Sequence, residues 1–208
     1  GDELLDINTY ASYIIYFFRN NILIYVGSSP ISTGDFAIYQ NINGVGVVAS
    51  GTVCQLGSDI LFLSATGIKS MSQIVTTGSL ELGDVSEIID QDIMSAIKAN
   101  TGNVYSACHN KQQAWYMILI GSTVFVYAYQ YKAWCRIVPP NSTTSKIYSL
   151  FTSQDGQVYM GGQDYLFKFG ASESVFTFNG VNPVMEWETG WFQLSTSRTA
   201  FLRTLEID

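Results

Sequence analysis

Short apolar runs separated by tight-turn dipeptides organise this chain. Residues 13–18 read YIIYFF, 22–26 ILIYV, 59–64 DILFLS, 114–120 AWYMILI, 123–128 TVFVYA, 147–151 IYSLF and 157–161 QVYMG. Each run has the length of a strand, and most are too short to be free-standing helices. Turn signals stand at Asn20-Asn21, Gly57-Ser58, Gly121-Ser122 and Asp155-Gly156. Gly, Asn and Asp tolerate positive φ, so each dipeptide suits a two-residue hairpin, type I′ at Asp155-Gly156. A looser turn signal follows each: Ser28-Ser29, Thr66-Gly67, Gln130-Tyr131-Lys132 and Gly162-Gln163. The unit is strand, tight turn, strand, looser turn, strand.

The run around residue 125 shows what these strands must pack against. Phe125, Tyr127, Tyr129 and Tyr131 share one parity, and Val124, Val126 and Ala128 share the other. Side chains alternate faces along a strand, so neither face is suited to water. The aromatic row is expected to meet one neighbouring sheet and the valine row another.

The turn tips are separated by about 37, 64 and 34 residues. Two of these gaps approach the roughly 40 to 50 residues of a four-stranded propeller blade. The long gap contains SEIIDQDIMSAIKA, residues 86–99. Ser86 can cap a helix, and Glu87 in the first turn suits its positive end. Ile89, Ile93, Ala96 and Ile97 form one stripe at helical spacing, Lys98 sits in the last turn and Gly102 supplies a stop. The predicted fold is all-β: a β-propeller-like array of four-stranded antiparallel blades with one inserted amphipathic helix over about 86–99. A two-sheet β-sandwich is the alternative. Residues 1–208 read as a single domain with its helical insertion at about 84–102. Further strands are expected in SVFTF (174–178), VMEWETGWFQL (184–194) and FLRTLEID (201–208). The ends, GDELL and RTLEID, suggest an excerpt of a longer or processed polypeptide.

Composition supports an extensive β core: 47% of residues are apolar, only 13% are charged, and there are 13 Tyr and 12 Phe. Net charge is −7 and there is no run of Lys or Arg, which argues against tight nucleic-acid binding. An acidic surface that lets DNA pass without sticking remains compatible with it. The three cysteines, Cys54, Cys108 and Cys135, form no C-x-x-C pair and read as buried or half-buried thiols of a reducing compartment. No apolar stretch is long enough to span a membrane.

Candidate chemistry is sparse. His109 is the lone histidine; its neighbour Cys108 should point to the opposite face, which argues against a Cys-His dyad. Glu186 and Glu188 flank Trp187 and would share a strand face about 7 Å apart. Such a pair can support glycoside hydrolysis, although the solvated face of an outer strand explains it as well. Asp90 and Asp92, two positions apart on the predicted helix, read as its solvated side. Residues 152–161, TSQDGQVYMG, lack the spacer and Trp of the Asp-box turn found in sialidase-type propellers. Gly44, Gly46 and Gly51 do not form a phosphate-binding loop and read as a flexible turn. The residues therefore predict no catalytic, cofactor-binding or metal site and no enzyme.

Three stretches together, IIYFFRNNILIYVG (14–27), GSDILFLSATGIKSMS (57–72) and VFVYAYQYKAW (124–134), resemble a known family. It is that of the propeller-bearing tail nozzle proteins of short-tailed bacteriophages, also called tail tubular protein B, with the related tail hub proteins. Leu61-Phe62-Leu63-Ser64 with Gly67-Ile68, Val126-Tyr127 leading to Trp134, the helix at 86–99, and Trp187 with Thr189 carry the resemblance over roughly residues 12–205. It implies a structural virion protein at the phage tail that forms a homo-oligomeric ring, a hexamer in the family, around the DNA exit channel. It also implies a tail adaptor and tail fibre or spike proteins as partners, and manufacture in the host cytoplasm. Two other classes stay open. One is a carbohydrate-binding or glycan-cleaving propeller, which Glu186, Glu188 and the aromatic load would serve. The other is a cellular protein-interaction propeller.

Overall fold

The computed structural model describes residues 1–27, 36–77, 83–138, 146–163 and 166–169, and the backbone of 184–186. Within them the chain forms four antiparallel sheets. The first holds β1 (Leu4–Tyr10), β2 (Tyr13–Phe18), β3 (Asn21–Val26) and β4 (Ala37–Asn43), in that spatial order. The second holds β5 (Cys54–Leu56), β6 (Asp59–Ser64) and β7 (Gly67–Ser70), with an isolated bridge from Lys69 to Asp84 at its edge. Two short helices follow, α1 (Met71–Thr77) and α2 (Asp90–Ala99), the latter entered through a 3₁₀ turn at Glu87–Ile89. The third sheet is β8 (Tyr105–Asn110), β9 (Trp115–Ile120), β10 (Thr123–Ala128) and β11 (Ala133–Val138). The fourth is β12 (Ile147–Thr152), β13 (Val158–Gly162) and β14 (Leu166–Lys168). Finally β15 (Val184–Glu186) returns to pair with β11 at the edge of the third sheet. The fold is thus mostly β, in four sheets rather than the two of a sandwich.

The sheets cover one another in chain order. Ile15, Phe17, Ile22 and Ile24 of the first sheet pack against Ile60, Phe62, Met71 and Ile74. The rings of Phe17 and Phe62 lie 5.4 Å apart. Leu61, Leu63 and Ile68 of the second sheet pack against Tyr116, Ile118, Ile120, Phe125, Tyr127 and Trp134 of the third, with Ile93 of α2. Met117, Leu119, Val124 and Val126 then meet Ile147, Leu150, Val158 and Met160 of the fourth. The predicted split of β10 is therefore found. Its aromatic row meets one sheet and its valine row the next. Tyr129, however, is only partly buried at the edge of its core, and Tyr131 lies in the turn, 79% exposed. Period-two alternation between two apolar walls explains why β6, β9 and β10 read as nearly unbroken apolar runs.

The turns refine the repeat. Ile22, Ile68 and Val124 each stand second after a two-residue turn and each face the following sheet. Ile60, second after Gly57-Ser58, faces the preceding sheet instead. A hairpin shifted by one strand reverses its flanking faces, so Ala65-Thr66 is the counterpart of the turns at 19–20 and 121–122. Gly57-Ser58 joins the strands before it. The expected type I′ turn at Asp155-Gly156 is also corrected. Ser153 N donates to Gln157 O (2.9 Å) and Gly156 N to Ser153 O (3.0 Å), around a three-residue tip with Gly156 at φ +82°. The Asp155 carboxylate accepts from Ser153 Oγ and from Gln157 N, which favours the longer loop.

The single expected helix becomes two. Ser70-Met71-Ser72-Gln73 places a hydroxyl where Gln73 N can donate to Ser70 Oγ (3.2 Å), while Asp59 accepts from Ser72 N (2.9 Å). These bonds satisfy amides at the start of α1, and Met71 and Ile74 anchor it in the first core. In the expected helix, Ile93 is fully buried and Ile89, Ala96 and Ile97 lie partly buried beside it, as the stripe predicted. Ser86 does not cap α2; its hydroxyl is engaged elsewhere. Of the predicted late strands, only 184–186 falls within the described residues.

Candidate functional site

Four polar residues converge where the second sheet meets α2. Lys69 of β7, only 5% exposed, pairs with Asp84. Ser86 Oγ accepts from Ile68 N (2.7 Å) and lies 3.1 Å from Asp84 Oδ1 and 2.5 Å from Asp90 Oδ1. A hydroxyl has one proton, so it donates to one carboxylate at a time. Burial raises the Asp90 carboxyl above its ordinary value; Ser86 opposes this, and the Asp84 charge adds to it. Gly67, at φ +133°, makes room: a Cβ there would sit 2.3 Å from Asp90 Oδ1. Trp134 Nε1 donates to Val85 O (3.0 Å), tying the same loop to the third sheet. Asp90 is thus half-buried and engaged, contrary to its expected place on the solvated side of the helix. Every group here has a partner inside the fold, and the arrangement holds a loop, a strand and a helix together.

The other candidates also resolve into structural roles. His109 Nε2 lies 3.1 Å from Tyr129 Oη, and burial, followed by the Lys111 charge, lowers its basicity. Cys108 faces the opposite core, where burial pushes its thiol up to about 11. Cys54 is pushed up to about 12 by burial and then by Cys108, and burial raises half-buried Cys135 as well; all three are free thiols. Such thiols are poor nucleophiles near neutral pH. Gly46 is no flexible turn. A Cβ there would lie 2.2 Å from Arg19 O, and Val47 N donates to Phe18 O (2.9 Å), so the backbone is clamped. The Glu186 backbone lies in β15, and Glu188 falls outside the described residues. No group of three or more His, Cys, Asp or Glu that could hold a metal ion occurs among the described residues. No helix among them is long and apolar enough to cross a membrane.

The more informative surfaces are the two ends of the stack. The face of the first sheet turned away from the second carries Ile7, Ile14, Tyr16, Leu23, Tyr25 and Ile38. Ile7 is 51% and Ile38 56% exposed. Tyr16 meets Tyr25 edge-on at 5.1 Å, and Tyr25 stacks on Phe36 at 4.9 Å. The outer face of the fourth sheet carries the stacked pair Phe151–Tyr159 (5.4 Å), Leu166 and Lys168, around Ser149 and Gly161. Among the described side chains, exposed large apolar residues in strands fall in these two sheets and none in the strands of the second and third. A water-facing side of an antiparallel sheet normally alternates to polar residues, so these faces depart from that rule. Sequence reading registered the apolar runs but not which faces stay open, because that depends on which sheets find neighbours.

No family model matches the chain, and no curated protein matches it. Among solved structures, one similar chain is described as the structure of a 2S albumin seed protein from Dolichos. It is 12% identical over 86% of this chain and 88% of its own, with a TM-score of 0.34. That likeness is too slight to bear on fold or function.

Proposed function

We propose that this chain is a structural, non-enzymatic assembly protein of a bacteriophage tail, its four sheets serving as blades of a β-propeller. One observation carries the reading: successive antiparallel meanders stack face to face in chain order, each apolar on both sides, as blades do. The resemblance of residues 14–27, 57–72 and 124–134 to tail nozzle and hub proteins supplies the setting. In that reading the copies form a ring in the virion, contacting a tail adaptor and fibre or spike proteins, and DNA leaves through the ring without specific binding. The net charge of −7 supports a non-adhesive conduit. The polar groups with perturbed acidity support a structural role, since the Asp90 cluster and the buried thiols are engaged in packing.

Fractionation of phage particles with antibody labelling, followed by electron microscopy, tests this. The expected result is label at the tail and ring-shaped particles from purified protein. A protein absent from particles and monomeric in isolation overturns it. A glycan array and hydrolysis screen with Glu186→Gln and Glu188→Gln variants addresses the carbohydrate reading, which predicts binding or cleavage that these substitutions reduce.

A further inference from the structure

We propose that Lys69 and Asp84 condense into an amide bond, a covalent link that the chain makes by itself between β7 and the loop leading into α2. The link is independent of the tail reading and needs no partner molecule. Ser70 N donates to Gly83 O (2.7 Å) and Val85 N to Ile68 O (3.0 Å), so Lys69 and Asp84 face each other as a non-hydrogen-bonded antiparallel pair. Side chains approach most closely at such pairs. Lys69 Nζ lies on Asp84 Oδ2, and the two side chains are only 7% and 11% exposed. Trp134 Nε1 holds the loop from its other side through Val85 O (3.0 Å). Making an amide from an ammonium and a carboxylate is uphill in open water, where both ions are solvated. Enclosure removes much of that solvation. Holding the two groups in contact adds an effective concentration that reaches about 10⁵–10⁸ M in well-oriented pairs.

The other carboxylate oxygen of Asp84 sits in a cradle. Oδ1 accepts from Ser86 N (3.0 Å) and lies 3.1 Å from Ser86 Oγ. Two donors at that distance suit an oxygen on which negative charge develops. Ser86 Oγ itself accepts from Ile68 N and lies 2.5 Å from Asp90 Oδ1. With Asp90 protonated, Asp90 donates to Ser86 and Ser86 donates to Asp84, which uses the one hydroxyl proton without conflict. Burial, which raises the Asp90 carboxyl, favours that arrangement. In the reaction, one proton passes from the Lys69 ammonium to Asp84 Oδ2. The free amine attacks Cγ and forms the C–N bond, while the carbonyl electron pair moves to Oδ1 under the Ser86 donors. A second amine proton passes to Oδ2, the C–O bond breaks with its electron pair, and water leaves. The carbonyl re-forms at Oδ1 and Lys69 keeps one N–H. The step consumes no oxidant or other reactant. Its product closes residues 69–84 into a covalent loop, which restricts the unfolded chain as other cross-links do.

Intact-mass spectrometry of the purified full chain tests it. The expected mass is one water below that of the sequence, and protease digestion should yield a branched peptide joining Lys69 to Asp84. Lys69→Arg keeps a cation opposite Asp84 but cannot make the link, and should run at its full sequence mass. Full mass for wild-type protein after prolonged incubation, with the fold verified by circular dichroism, overturns the proposal. So does a water loss that persists in Lys69→Arg, since the Asp155-Gly156 step can also lose water by closing to a succinimide. Ser86→Ala removes one of the two donors on Oδ1. Timed after cell-free synthesis, its water loss should run about 10²–10³-fold slower than in the wild type. An equal rate would overturn the placing of the Ser86 hydroxyl on the reacting carboxyl. Should Lys69→Arg fail to fold, the wild-type digest decides alone: absence of the branched peptide overturns the link.

Discussion

Strands β3 and β10 carry nearly the same pattern and meet different fates. In β10, Val124, Phe125, Val126 and Tyr127 are all buried. In β3, Ile22 and Ile24 are buried, yet Leu23 and Tyr25 are only half-buried. The chemistry of the two strands does not account for this. Among the described residues, the third sheet lies between two others, and the first packs against a sheet on one side. Apolar side chains at the ends of the stack thus record a capacity for contact, while those in the middle record contact made. The polar residues follow the same division. Lys69 and Asp84 are enclosed in the second sheet, whereas the ion pair of Arg19 with Glu3 (2.6 Å) lies exposed beside the first.

Enclosure makes the middle of the stack the most sensitive region. Lys69→Met leaves Asp84 with its charge unmatched in a site where its side chain is 11% exposed. Removing one partner of a buried pair costs about 3–5 kcal/mol, and denaturant unfolding should show a loss of that order. Arg19→Met, at the exposed pair, should change stability by no more than about 1 kcal/mol. Equal losses would break the distinction between enclosed and open sheets.

Truncating apolar side chains sharpens the same contrast. Ile118→Ala in the third sheet should cost about 2–5 kcal/mol through lost transfer energy and the cavity left behind. Leu23→Ala on the open face should cost less than about 1 kcal/mol in the dissociated chain, because its side chain has water on one side. Unfolding measured at low protein concentration checks both. A Leu23→Ala cost that rises with protein concentration would show the end face becoming covered on association.

The smallest expected effect concerns pH. Asp90 has a folded-state acidity weaker than its unfolded one, chiefly from burial. Its ionised form therefore opposes folding at neutral pH, and stability from this group rises as pH falls through the raised value toward the ordinary 3.8. Asp155 runs the other way: the Ser153 hydroxyl and Gln157 amide strengthen its acidity, so its contribution is present at neutral pH and lost at more acid pH. Asp90→Asn keeps an acceptor for Ser86 and should stabilise at neutral pH while flattening the profile on the acid side. Urea midpoints from pH 7 down to 4 measure it, and an unchanged profile would mean that Asp90 is more open to water than its partners indicate.

Much of the local structure was legible in the sequence because it rests on neighbours close in the chain. The runs at 13–18, 59–64, 115–120 and 123–128 are strands, and the stripe Ile89, Ile93, Ala96 and Ile97 is a helix face. Helix α1 was missed although Ser70-Met71-Ser72-Gln73 carries a capping pattern, because its seven residues are short beside the adjoining strand signal. The role of Ser86 was misassigned because its partners, Ile68 and Asp90, come from different elements. A cap is a local decision, whereas a bridging hydroxyl is decided by how strand and helix dock.

Alternation along each strand and the helical period were thus set by backbone geometry and by which side chains avoid water, and both are written into the sequence. Two things were decided only by tertiary structure. One is the place of each hairpin in the repeat: Gly57-Ser58 and Gly121-Ser122 look alike, but one precedes the central pair of strands and the other forms it. The other is which apolar faces remain open. Hydrophobic burial is non-directional, so the same row of Leu and Tyr serves as core or as surface according to what lies opposite. That choice is made by the number of sheets that come together, which no single strand encodes.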